Sequence, residues 1–342
     1  MKQKQLCSAL TVMSGIAILF VLGIHGCSSA LARFYPGTTG YAQTGIWLRA
    51  FSNLVAPAVP MFLFVSGYKY ALNDADTHYP TFLKKRLLRV IISFAVINTF
   101  FWLLDSIKYM ESLDPVLLLK TYLHSWMGYS VAYQLWYVPM YCFVLILCPL
   151  VRRIIPSAGL RFLLYAVVGI TQRVLEAGIP VLAAYPIRFI SYPVFFEMGV
   201  LACETNWRNR ISGTASAAAG AAYILAVILL AWKLPAIAAD GLTKYIVYYF
   251  AGTAVFFAVS IQWKANRFLQ WMGAISYPLF LLHEPVIGKM AGKVLSHLPL
   301  GEITFALCWL ILDFVLTWLV IEIFKRLKLD KILWNFHINE KK

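Results

Sequence analysis

The stretch Met13-Ser14-Gly15-Ile16-Ala17-Ile18-Leu19-Phe20-Val21-Leu22-Gly23-Ile24-His25, set inside an apolar run from Leu6 to Ala32, decides the fold class. A run of that length crosses a bilayer, which takes about 20 apolar residues. Ser14 and His25 are eleven residues apart, about three helical turns, so both fall on one helix face with the imidazole roughly 16 Å above the hydroxyl. A titratable residue inside a span faces a bundle interior or a wet cavity and marks function by default. The competing reading is a histidine that merely hydrogen-bonds a neighbouring helix. Lys2 and Lys4, with Ser28-Ser29-Ala30-Leu31-Ala32 and Ile24-His25-Gly26-Cys27, loosely resemble a cleaved leader or a lipoprotein signal. The apolar run is longer than a signal core and many spans follow, so it reads as retained.

The rest of the chain has the same character. Its 342 residues are 61% hydrophobic and only 13% charged, more apolar surface than a soluble core of ordinary domain size hides. Ten apolar segments follow one another, at about 6–32, 46–72, 87–108, 132–151, 160–178, 183–203, 213–233, 244–262, 268–291 and 302–324. The expected fold is therefore all-α: a single-domain polytopic bundle of about ten membrane helices over residues 1–342. The interval 109–131 reads as its longest loop.

The formal charge of +15 invites a nucleic-acid partner, but its distribution removes that need. Lys84, Lys85, Arg86, Arg89, Arg152, Arg153, Arg161, Arg208, Arg210, Lys325 and Arg326 fall in alternate loops with both tails, and few basic residues fall opposite. By the positive-inside rule both termini are cytoplasmic, and no nucleic acid is expected. The six cysteines are scattered without a Cys-x-x-Cys pair, so neither a disulfide framework nor a metal site is indicated.

Several stretches carry more than hydrophobicity. Pro57 and Pro60 lie inside the second span and remove ladder hydrogen bonds, which predicts a kinked or broken helix; packing alone is an equal account. In Phe82-Leu83-Lys84-Lys85-Arg86-Leu87-Leu88-Arg89, Lys85 and Arg86 share a helix face with Arg89. That face grips phosphates or simply anchors at lipid headgroups. Asp105 ends the third span and Tyr133-Gln134-Leu135-Trp136-Tyr137 opens the fourth as an aromatic belt. Arg173 and Glu176 are placed to pair, with Arg188 nearby and Glu197 deeper. The small residues of 212–220 read as a close-packing helix face, and Asp313 as an interior pairing group. In the ninth span His283, followed by Glu284 and Pro285, lies roughly 22 Å up, close to the level of His25. Asp105 converges on the same level.

Taken together, the first helix ending in His25, Val59-Pro60-Met61-Phe62-Leu63-Phe64-Val65-Ser66-Gly67-Tyr68, the segment Phe82 to Arg89, Gln134-Leu135-Trp136-Tyr137, and Ser276-Tyr277-Pro278-Leu279-Phe280-Leu281-Leu282-His283-Glu284-Pro285 resemble the acyltransferase 3 family. The resemblance spans nearly the whole chain. It implies a multi-pass enzyme of the cell (plasma or inner) membrane that moves an acyl group, acetyl first among them, from acyl-CoA to a hydroxyl of a cell-surface polysaccharide or lipid-linked sugar. It implies that His25 is the histidine essential to transfer and that Lys84, Lys85, Arg86 and Arg89 belong to the donor segment. Many members carry Arg eleven residues before the histidine, where this chain has Ser14, so the arginine's role is absent or supplied elsewhere. The expected partners are acyl-CoA as co-substrate, the glycan acceptor and membrane lipids, with no permanently bound cofactor.

The residue chemistry fits independently. Acyl transfer to a hydroxyl needs a base near neutral pKa, and imidazole is the best side chain available. Asp105 or Glu284 is placed to orient His25, whereas Trp136, Tyr137, Arg173, Arg188, His283 and Glu284 are the acceptor-side candidates. An acyl-histidine intermediate is the alternative chemistry. A transporter or flippase for a glycan or lipid-linked sugar is the rival function, and it predicts matching halves that the sequence does not display.

Overall fold

The computed structural model describes residues 2–38, 40–109, 114–127, 132–176, 178–179 and 185–334. Among them every regular element is helical. In chain order the helices that build the site are α1 (Lys2–Phe34), α2 (Ile46–Val55), α3 (Ala58–Asn73), α4 (Tyr79–Tyr109), α5 (Pro115–Trp126), α6 (Tyr137–Ile154), α7 (Ala158–Glu176), α8 (Pro193–Glu204), α9 (Gly213–Lys233), α10 (Gly252–Gln262), α11 (Arg267–Ala274), α12 (Ser276–Leu282), α13 (Gly288–Ser296) and α14 (Glu302–Arg326). Among the described residues eight stretches are long and apolar enough to cross a membrane, so the protein is a multi-pass helix bundle. The other two apolar segments, 183–203 in its described part from Tyr185 and 268–291, are interrupted helices and not single rods.

The first span is the hub. It packs against α3, α10, α11 and α14, and 67% of its most apolar window is buried, against 22% for α9. Its contact with α11 is a backbone contact. A Cβ at Gly15 would stand 2.1 Å from the Leu269 carbonyl oxygen, and one at Gly273 would stand 2.0 Å from that of Thr11. Only glycine permits that approach at either position.

The second span breaks where its prolines require. The helix stops at Val55 and restarts at Ala58, with Pro57 at the N-cap of α3. Pro60 falls in the first turn of α3, where a missing N–H costs nothing.

Four expectations need correction. The interval 109–131 is not simply a loop. It contains α5, which folds back along α4: Asn98 donates to Ser125 at 2.7 Å, and the Trp102 indole donates to Thr121 at 3.1 Å. The small residues of α9 do not draw backbones together. Only Ser216 is buried among residues 212–220, and a Cβ at Gly220 would meet nothing nearer than Val259 at 3.9 Å. Small size admits close packing only on a face that meets another helix, and most of this one meets none. Asp313 is wholly buried, yet neither carboxylate oxygen has a hydrogen-bond partner among the described residues. Arg161, counted with the basic loops, is also wholly buried. It donates to Glu197 at 3.0 Å and to the carbonyls of Ile155 and Pro156.

That ion pair fastens α7 to α8. Removing one partner leaves the other charge buried and unpaired, so Glu197→Leu should cost about 3–5 kcal/mol of stability. The measurement is the midpoint of thermal unfolding in detergent together with membrane abundance. Wild-type values of both would show that Arg161 and Glu197 are not a structural pair.

Candidate active site

His25 and His283 meet. Their ring centroids are 4.8 Å apart at 65°, with His25 7% and His283 0% exposed. The His25 Nδ1 is 2.7 Å from the Tyr133 hydroxyl.

Local sequence explains how these groups come together. Proline disfavours the helical conformation in the residue before it, and Glu284, which precedes Pro285, is extended (φ −128°, ψ 157°). The helix therefore opens at Glu284, and its carbonyl is free to accept from the Gln134 amide at 2.5 Å. The short turn Tyr133–Trp136 is thus tied to both histidine-bearing segments, by Tyr133 to His25 and by Gln134 to Glu284. It follows closely on α5, whose return along α4 delivers the chain to this depth.

The tautomer of His283 follows from its partners. Its Nδ1 lies 3.0 Å from the carbonyl oxygens of both Leu279 and Phe280. Carbonyls only accept, so Nδ1 carries the proton and Nε2 keeps its lone pair. That Nε2 is buried and has no hydrogen-bond partner among the described residues.

A cavity of about 480 Å³ leads toward this pair from the basic end of the bundle. Lys69, Asp74, Arg86 and Arg89 line one end, with Ser14 and Ser66 along the wall. Val21, Val138, Tyr137 and Phe280 line the other end. His25 lies one helical turn beyond Val21 on the same face of α1. The ring of Phe280 is 6.3 Å from that of His283. A largely apolar cavity thus runs from a cationic mouth to within about one helical turn of His25.

Against known families, residues 8–322 match the acyltransferase 3 family, described as Acyltransferase domain. The chain belongs to the acyltransferase 3 family. No curated protein and no solved structure matches it. The match reaches into every helix described above, so this bundle is a membrane acyltransferase and both histidines lie within its acyltransferase domain.

Each expected site residue can now be placed. The fold brings His25, His283 and Glu284 together, and it brings Ser14, Arg86 and Arg89 to one cavity. Lys84 and Lys85 are exposed and do not line that cavity. Arg86 is committed to a carboxylate, donating to Asp74. Ser14 donates to the Leu10 carbonyl at 3.1 Å and offers no cation. Asp105 is half-buried and makes no hydrogen bond to His25; the Nδ1 partner is Tyr133. Tyr137 stacks on Tyr141 and meets Phe280 edge-on, which puts it on the wall of the cavity from the basic end. Trp136 packs on Tyr192, over which Arg173 also lies at 6.0 Å. Arg173 and Arg188 both bind Glu176, at 3.3 Å and 2.5 Å, so Glu176 bridges two cations instead of pairing with one.

Sequence reasoning passed over Tyr133, Gln134 and Lys69. Lys69 had a signal, a cation inside an apolar span. It lines the cavity with no acidic partner among the described residues. Tyr133 had none, because an aromatic at a span's start is ordinarily belt.

Proposed function

We propose that this protein transfers an acyl group, acetyl first among candidates, from acyl-CoA to a hydroxyl of a cell-surface polysaccharide or lipid-linked sugar, with His25 as general base. The reading places the protein in the plasma (inner) membrane with its basic loops and both termini cytoplasmic. Labelling of a Thr77→Cys variant from the outer side alone would refute that orientation.

The carrying observation is the cavity: it is cationic where a CoA diphosphate would sit and apolar where a pantetheine arm would run, and it ends one turn short of His25. In the reaction, His25 Nε2 takes the acceptor's hydroxyl proton while the oxygen attacks the thioester carbon. The tetrahedral adduct collapses with cleavage of the C–S bond, and the imidazolium returns the proton to sulfur, leaving an ester and free CoA. For Nε2 to be the base, Nδ1 must hold its proton and donate it to Tyr133, so the tyrosine orients the base in place of a carboxylate. The test is labelled acetyl-CoA supplied to membranes that contain the protein. Label should enter a glycan fraction, and label that enters none would overturn the reading.

At the mouth, Lys69 and Arg89 are the cations without a carboxylate partner among the described residues, and Lys69 supplies the charge that Ser14 lacks. Arg89→Glu and Lys69→Gln should each raise the KM for acetyl-CoA about 3- to 10-fold, with little change in the acceptor's KM. Steady-state kinetics with each substrate varied in turn checks this. Equal KM values in variant and wild type would return these residues to a membrane-anchoring role.

A further inference from the structure

Beside the donor cavity lies a second one of about 400 Å³ at the basic end, formed by the turn 75–79 and the end of α6. The two share Tyr70 and Phe82, whose rings meet edge-on at 5.1 Å, so they open on opposite sides of one aromatic wall. The second cavity differs in chemistry. Its lining combines His78, Arg152 and Arg153 with the ring of Tyr79. Its volume falls within the range of small-ligand clefts.

The charged groups around it are not equivalent. Arg152 is engaged with Glu204 at 2.9 Å. Asp76, also in the lining, is exposed and has no ion pair among the described residues. Arg153 is exposed and has no carboxylate partner among the described residues; its guanidinium lies 4.9 Å from the centroid of the Tyr79 ring. That ring is fixed, since the Tyr79 hydroxyl donates to the Ile146 carbonyl at 2.9 Å. A guanidinium laid on a fixed aromatic face keeps its in-plane N–H groups available for a bidentate contact with phosphate. The turn and the end of α6 together present a phosphate ligand, a flat aromatic ring and an imidazole next to the mouth of the donor path.

We infer that this second cavity binds the 3′-phosphorylated adenosine end of acyl-CoA, with Arg153 as the ligand of the 3′-phosphate and the Tyr79 side of the cavity against the base. The inference rests on the acyl-CoA reading above and deepens it. The nucleotide sits on one side of the Tyr70–Phe82 wall, the diphosphate crosses near Arg86 and Arg89, and the pantetheine arm descends the first cavity toward His25.

Acetyl-CoA and acetyl-dephospho-CoA, which lacks only the 3′-phosphate, separate the two layers of the argument. With the wild-type protein in membranes, loss of the 3′-phosphate should raise the KM about 10- to 100-fold at unchanged kcat, the size of a charge-assisted contact. Arg153→Gln should raise the KM for acetyl-CoA by the same factor and leave that for acetyl-dephospho-CoA unchanged. Adenosine 3′,5′-bisphosphate should compete with acetyl-CoA on the wild type at least tenfold more strongly than adenosine 5′-monophosphate, a measurement independent of any variant's folding. Equal use of both donors by the wild type, or full discrimination retained in Arg153→Gln, or equal competition by the two nucleotides, would overturn the site while leaving an acyl-CoA enzyme. Transfer from neither donor would overturn the site together with the acyl-CoA reading.

Discussion

His25→Ala is expected to leave the protein inserted at near wild-type abundance while lowering acyl transfer per molecule by about two to four orders of magnitude, the usual span for loss of a general base. The expectation joins three observations: burial of the imidazole in the most central helix, its ring contact with His283, and its place one turn past the inner end of the first cavity. Tyr133→Phe serves as its companion. That change removes the 2.7 Å contact to Nδ1 but keeps the ring, so Nε2 remains a base that is no longer oriented. Its cost should fall well short of that of His25→Ala. The pair of measurements is label incorporation and quantified membrane abundance for each variant. A packing histidine predicts the reverse, with abundance lost and activity per molecule preserved, and that outcome would remove His25 from the chemistry.

How much of this was legible before the structure depends on the range over which each signal is summed. Span-scale hydrophobicity is a sum over about 20 residues, so the all-α bundle was readable. The shared level of His25 and His283 was readable too, because helical rise converts residue counts into depth. What failed was anything decided by how one segment folds over another. Asp105 was a reasonable partner for His25 on depth alone. The return of α5 along α4 carries Tyr133 there instead; Asp114-Pro115 is a local helix-start signal, but nothing local says that the helix turns back. Arg161 shows a second kind of failure. Counting cations per loop records which side of the membrane they flank and not how deep they are buried, so a structural ion pair with Glu197 passed for a topological signal. Where an aromatic at a span's start points is set by helix rotation, which packing decides, so the sequence left open that Tyr137 lines the cavity from the basic end.

His283 carries the second large expectation. Its Nδ1 proton is spent on the carbonyls of Leu279 and Phe280, which leaves Nε2 able only to accept. Beside a base that removes one hydroxyl proton, a fixed acceptor is suited to hold the sugar by a second hydroxyl and so to aim the first. His283→Ala should therefore lower kcat/KM for the acceptor about 100-fold, the cost of a reacting group displaced by about 1 Å, and leave the KM for acetyl-CoA unchanged. The double variant decides between two arrangements. If His25 is the base and His283 only aims the substrate, the two losses multiply, because each acts on a separate step of stabilisation. If the rings act as one proton-handling unit, the double variant is no worse than His25→Ala alone. A larger loss for His283→Ala than for His25→Ala would reverse the assignment and make the bare Nε2 of His283 the base. That reversal fits the same cavity and the same proposed donor path, since both rings lie beyond its inner end, so the comparison isolates the identity of the base from the direction in which the donor arrives.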